Sequence, residues 1–128
     1  MTHEIKMKVR DYECDLQGIV NNANYQHYTE HARHECLHSL GVSFADLHQR
    51  GIDAVVARIT LNYKVPLHSG DEFVVKSRVK KEGVKYIFNQ DIIRLSDEHL
   101  ACRVEVVIVA VVDGKLVAEC PELDCLLQ

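Results

Sequence analysis

The sequence has no apolar run long enough to cross a bilayer: the longest, residues 106–112, is far short of the roughly 20 residues that a membrane-spanning helix needs. Its opening, M-T-H-E-I-K-M-K, lacks the apolar core of a secretory leader, so a cytoplasmic protein is expected. No C-x-x-C pair occurs, and the five cysteines (Cys14, Cys36, Cys102, Cys120 and Cys125) are an odd number. Neither a disulfide framework nor a zinc site is implied, and reduced, partly buried thiols are expected. Positive charge is not in excess either. A net charge of -4 and a pI near 6.0 give no general attraction to nucleic acid or acidic membranes, so any anionic ligand must be met by a local basic patch. Internal repeats, linkers and low-complexity segments are also missing.

What is present has the balance of a soluble globular protein. With 128 residues, 47% hydrophobic and 27% charged, the chain suits one domain over residues 1–128 with a single core. One helix is expected at about residues 22–40, ended by Gly41. The remainder reads as strands. Ala57, Ile59, Leu61, Tyr63 and Val65 alternate with polar neighbours, as do Phe73, Val75, Ser77 and Val79. Residues 84–95 and 100–112 follow after turns at Glu82-Gly83 and at Ser96-Asp97-Glu98, and the last strand closes at Asp113-Gly114. A strand, a helix and then about four long strands in hairpin order predict an α+β domain, a curved antiparallel sheet wrapped around the single helix. Residues 106–112 are apolar on both faces, which predicts a strand covered on both sides, the second cover coming from another copy of the chain.

The densest functional information lies in residues 15–33, D-L-Q-G-I-V-N-N-A-N-Y-Q-H-Y-T-E-H-A-R. Asp15 ends a strand-like run, Gly18 permits a tight turn or close approach by a ligand, and Asn21 or Asn22 is placed to cap the following helix. Amides at a helix start stabilise developing negative charge, and a carboxylate just upstream can attack a carbonyl or activate a water against it.

This segment resembles the active-site region of hot-dog-fold acyl-CoA thioesterases of the 4-hydroxybenzoyl-CoA thioesterase-like group, with the pattern D-x-x-G-[IV]-V-x-[HNY]-x-x-Y followed by E-x-A-R. Asp15, Gly18, Ile19, Val20, Asn22, Tyr25, Glu30, Ala32 and Arg33 fit it. Residues 61–71, L-N-Y-K-V-P-L-H-S-G-D, and Cys120-Pro121-Glu122-Leu123 also resemble that family's segments. The resemblance implies a hot-dog fold of one long central helix and about five strands, and cleavage of an acyl-CoA thioester to free acid and coenzyme A without a cofactor. It implies a homo-oligomer, either a dimer or a tetramer. The catalytic residue it implies is Asp15, as nucleophile or as general base. A thioester suits so sparse a site, because a thiolate is a good leaving group. The resemblance also implies an oxyanion donor in the backbone amide near Asn22, where many relatives carry His or Tyr.

Substrate contacts are expected from Gly18, Ile19, Val20 and Tyr25, with Tyr25 the pocket wall. Tyr28 shares the face of Ala32 and Cys36 and is expected in the core. Lys80, Lys81 and Lys85 form the densest basic cluster and are expected to meet the phosphates of coenzyme A; Lys64 and His68 are lesser candidates. Glu30 and Arg33 are expected to form a structural ion pair or an interface contact. His27, His31, His34 and His38 recur at spacings of four, three and four, which at about 100° per residue gathers them on one stripe. No cysteine or carboxylate completes a metal site there, so a solvated or subunit-facing surface is expected and no metal. Two rival functions remain: a hydrolase of acyl-carrier-protein thioesters, which docks an acidic protein, and a non-catalytic acyl-CoA-binding domain.

Overall fold

The computed structural model describes residues 2–128. Its chain order is β1 (His3–Lys8), a 3-10 turn (Asp11–Glu13), α1 (Asn24–Ser39), α2 (Phe44–Gln49) and β2 (Ile52–Tyr63). There follow β3 (Glu72–Glu82), β4 (Lys85–Arg94), β5 (Leu100–Val112), β6 (Lys115–Val117), α3 (Pro121–Asp124) and a final 3-10 turn. The strands form one antiparallel sheet in the order β1-β3-β4-β5-β2, with the short β6 paired to β5. This is the curved sheet around one long helix, the hot-dog arrangement that the sequence implied.

Alternation decides which strand face meets α1. On β3, Phe73, Val75 and Ser77 are buried while Lys76 and Arg78 are exposed, the period-2 signature of a half-buried strand. On α1, Tyr25, Tyr28, Ala32, Cys36 and Leu37 form the buried stripe, and the Tyr28 ring packs on Phe73 with centroids 4.7 Å apart. The same interface buries polar groups. Arg33, only 5% exposed, donates from Nη1 to Gln90 Oε1 at 3.1 Å, and Gln90 Nε2 in turn donates to the Thr29 carbonyl and to Ser77 Oγ, both at 3.0 Å. These four residues fix the rotation of α1 against β3 and β4.

Several expectations are corrected. The helix begins at Asn24 rather than Asn22, because Ala23 is its N-cap residue; Asn21 serves the turn ahead of it by accepting the Ala23 amide on Oδ1 at 2.9 Å. Asp15 does not end a strand: β1 stops at Lys8, and Asp15 lies beyond the 3-10 turn. The long helix is not alone either, since α2 follows it, with Ser43 Oγ accepting the Asp46 amide as its cap. Arg33 is held by Gln90, and among the described residues it makes no ion pair with Glu30. Val106, Ile108 and Ala110 face the core, whereas on the outer face Val107 is buried and Val109 and Val111 are only half-buried in the single chain. On the outer face Val107 stands beside Ile87 on β4 and Arg58 on β2.

Candidate active site

A cavity of about 390 Å³ opens between the turn before α1 and the end of β2, lined by Asp15, Gln17, Ile19, Val20, Asn22, Tyr25, Tyr63, Lys64, Val65 and Pro66. Its first wall is the loop of residues 14–20. An antiparallel bridge between Cys14 and Val20 closes this loop, the Asp15 amide donates to the Ile19 carbonyl at 2.9 Å, and the Gly18 amide donates to the Asp15 carbonyl at 3.0 Å. Gly18 sits at φ +80°, a conformation that favours glycine, and no protein atom crowds the place where a Cβ would stand. Val20 donates its amide to the Leu67 carbonyl at 2.8 Å, and Ile19 bridges to His68, which sews the loop to the segment after β2.

The loop geometry divides the two oxygens of Asp15. Oδ1 accepts the Gln17 amide at 2.8 Å, while Oδ2 has no hydrogen-bond partner among the described residues. The amides that lead into α1 are divided in the same way. Asn21 donates to the Glu13 carbonyl at 2.9 Å, Ala23 to Asn21 Oδ1 at 2.9 Å, and Asn24 to the Asn21 carbonyl at 2.9 Å. Of this run, Asn22 alone has an amide without an acceptor among the described residues. Asp15 and Asn22, one with an unbonded carboxylate oxygen and the other with an unbonded amide, thus line one cavity, and such a pair is suited to attack a carbonyl and to hold the oxyanion that forms.

The second wall is aromatic. Tyr25 is buried, its ring edge-on to Tyr63 at 5.4 Å between centroids, and its hydroxyl oxygen accepts the Leu67 amide at 3.2 Å. Burial pushes the Tyr25 phenol up from its ordinary value, so it remains protonated and keeps its O–H available as a donor. Tyr63, half exposed, donates to the Asn22 carbonyl at 3.0 Å. Arg94 braces the rim by donating from Nη1 to the Pro66 carbonyl at 2.8 Å while its Nε and Nη2 grip Asp97. That grip holds the Asp97 carboxyl well below the usual carboxylate range.

Asp15, Ile19, Val20, Asn22 and Tyr25, all expected from the sequence, come together here, with Gly18 shaping the loop behind them. The three lysines do not join them in one chain. Lys85 is level with Val109 and Val55, whereas the cavity is level with Cys102 and Tyr63. The eight residues from Val55 to Tyr63 are roughly 26 Å at the rise of a strand. Lys81 is also engaged, donating to the Ala118 carbonyl at 2.7 Å and pairing with Glu119, and Lys80 pairs with Glu82 at 3.2 Å. Lys64 is the cation that lines the cavity. Tyr63 was legible only as an alternating strand residue, and no sequence signal marked its bond to Asn22. Among the histidines, His34 packs on Phe44 at 4.9 Å and His27 Nδ1 meets Asn24 Oδ1 at 3.2 Å; all four are exposed.

Comparison with known proteins agrees with this fold. The chain belongs to the thioesterase-like superfamily, whose family model matches residues 9–123. It is 42% identical over 86 residues to the chloroplastic acyl-acyl carrier protein thioesterase ATL3 of Arabidopsis thaliana, covering 67% of this chain and 45% of that protein. To the long-chain acyl-CoA thioesterase FadM of Escherichia coli it is 30% identical over 95 residues, 74% of this chain and 71% of FadM. The crystal structure of a hypothetical protein from Aquifex aeolicus superposes with a TM-score of 0.90 at 27% identity and covers 98% of both chains. The chain spans about half the length of several of the curated relatives it matches.

Proposed function

We propose that this chain hydrolyses acyl-CoA thioesters to a free carboxylic acid and coenzyme A, with Asp15 as the catalytic residue and the Asn22 amide as the oxyanion donor. The observation that carries the reading is the pairing, on one cavity, of the unengaged Asp15 Oδ2 with the unspent Asn22 amide. Two routes fit this pair. In one, the carboxylate attacks the thioester carbonyl, the thiolate departs, and water opens the resulting anhydride. In the other, the carboxylate takes a proton from a water that attacks the carbonyl, and the thiolate leaves from the tetrahedral intermediate. Either way the products are the acid and the thiol. Gly18, Ile19, Val20 and Tyr25 shape the acyl site.

The phosphates of coenzyme A need cations. Lys80, Lys81 and Lys85 serve this cavity only if a second chain supplies them, since in one chain they lie far along the sheet. A homo-oligomer, dimer or tetramer, is part of the proposal. It is supported by β2, a strand of 12 residues at the edge of the sheet with Val55, Val56 and Tyr63 exposed along it. Five free thiols suit a reducing, cytoplasmic compartment. Among the described residues no helix is long and apolar enough to cross a membrane.

A second reading, hydrolysis of acyl-carrier-protein thioesters, is favoured by the 42% identity to a protein of that name and by the distance of the lysine cluster. The test is thiol release from short, medium, long and aromatic acyl-CoAs and from an acyl-carrier protein, comparing wild type with Asp15→Asn. Turnover of an acyl-CoA that falls about a hundredfold or more in a folded Asp15→Asn protein is expected. Turnover of the carrier-protein thioester alone selects the second reading, and a wild-type rate in Asp15→Asn removes the assignment of Asp15.

A further inference from the structure

Glu13 is a carboxylate only 9% exposed, two residues before Asp15, and the proposed chemistry does not use it. Five hydrogen bonds converge on it. Its Oε1 accepts the Tyr28 hydroxyl at 2.9 Å and the Arg10 amide at 2.8 Å, and its Oε2 accepts Arg10 Nη1 at 3.3 Å. Its backbone carbonyl accepts the Asn21 amide at 2.9 Å and Asn24 Nδ2 at 2.8 Å. The side chain therefore reaches the second turn of α1, and the carbonyl holds both the turn before α1 and the first residue of the helix. Of the two ends of the proposed reacting pair, Asp15 lies two residues after Glu13 itself, and Asn22 stands between Asn21 and Asn24, both bonded to the Glu13 carbonyl.

We infer that Glu13 is a positioning residue that fixes the Asp15 loop against the start of α1 and so sets the distance between the Asp15 carboxylate and the Asn22 amide. The inference rests on the proposed hydrolase reading. Desolvation makes the arrangement stiff: a buried carboxylate is tolerable only while its acceptors are filled, so each bond to it is costly to stretch. The Tyr28 phenol, raised from its ordinary value first by burial and then by its bond to Glu13, stays a donor across the working pH range. Because the stem of the loop is held from both sides, the loop cannot drift relative to the helix without breaking buried bonds. An error of about 1 Å between reacting groups is enough to cost on the order of a hundredfold in rate.

The test compares kcat and KM of Glu13→Ala, Glu13→Gln and Tyr28→Phe with wild type on the best acyl thioester, well below the melting temperature. Amide hydrogen exchange at Asp15 and Asn21 is measured in parallel. Glu13→Ala is expected to lower kcat about tenfold or more with KM within about twofold, and to speed exchange at both amides. Glu13→Gln keeps an acceptor for Tyr28 and is expected to recover most of kcat. Tyr28→Phe is expected to lose about fivefold, and it supplies the answer if Glu13→Ala does not fold. In an Asp15→Asn background, Glu13→Ala is expected to cause no further loss. A folded Glu13→Ala or Tyr28→Phe protein with wild-type kcat overturns the inference, as does an undiminished extra loss in the Asp15→Asn background. If wild type turns over no thioester, the hydrolase reading fails by itself; unchanged exchange at Asp15 and Asn21 then overturns the positioning, and faster exchange supports it.

Discussion

The Tyr63 hydroxyl donates to the Asn22 carbonyl at 3.0 Å, tying the last residue of β2 to the turn that leads into α1. This bond orients the peptide unit after Asn22, next to the amide proposed to hold the oxyanion. Tyr63→Phe keeps the ring contact with Tyr25 and deletes only the donor. It is expected to lower kcat about fivefold, the worth of roughly 1 kcal/mol, with the melting temperature nearly unchanged. Steady-state kinetics beside a thermal melt checks it, and an unchanged kcat would show that the peptide needs no tether.

The buried polar set of Arg33, Gln90, Ser77 and Thr29 predicts an asymmetry between two substitutions. Gln90→Ala leaves the guanidinium of Arg33 without its bonded acceptor and removes the side-chain donor to Ser77 Oγ and to the Thr29 carbonyl. A loss of about 3 kcal/mol is expected. Glu30→Gln on the same helix removes an exposed carboxylate with no ion pair among the described residues and is expected to stay within about 0.5 kcal/mol. Urea denaturation of the two variants measures the difference. Equal losses would contradict the network.

His34 gives a pH dependence. Although its ring is exposed on one side, partial desolvation where it packs on Phe44 holds it below the ordinary histidine value of 6.5, with the neighbouring Glu30 opposing and Arg33, His38 and His31 assisting. The folded state then binds fewer protons at this site than the unfolded state, so stability is full above pH 6.5 and declines as the pH falls below it. His34→Gln is expected to flatten that slope. Denaturation midpoints taken between neutral and mildly acidic pH, wild type against variant, decide it; parallel slopes would assign the acid sensitivity elsewhere.

The exposed edge of β2 predicts association. Val55 and Val56 are 44% and 46% exposed on a strand paired on one side only. Wild type is expected to run at twice the chain mass or more by light scattering, and Val56→Asp is expected to move the population toward single chains. A single-chain mass for wild type would remove the oligomer from the proposal.

Long, regular elements were legible in the sequence because their periodicity records one-sided burial. β5 runs over the expected residues 100–112, β4 lies within one residue of its expected ends, and the end of α1 falls just before Gly41. β2 starts five residues earlier than expected, at Ile52, because its pairing with β5 shifts between Val56 and Arg58 and breaks the alternation. The cap of α2 was present as Ser43 with Asp46 three residues on, but a helix of six residues gives too short a pattern to separate from a loop.

The sequence by itself determined the order of one long helix followed by long strands, the glycine turn at Gly18 and the nearness of Asp15 to the start of α1, all of which depend on neighbours along the chain. Only the tertiary structure decided that Tyr63, Lys64 and Pro66 close the cavity over Asp15, that Lys80, Lys81 and Lys85 stand away from it, and that Glu13 binds both Tyr28 and Asn24. These contacts join residues distant in sequence through single hydrogen bonds and strand register. Such interactions leave no repeating pattern, because each depends on where the folded sheet carries one side chain.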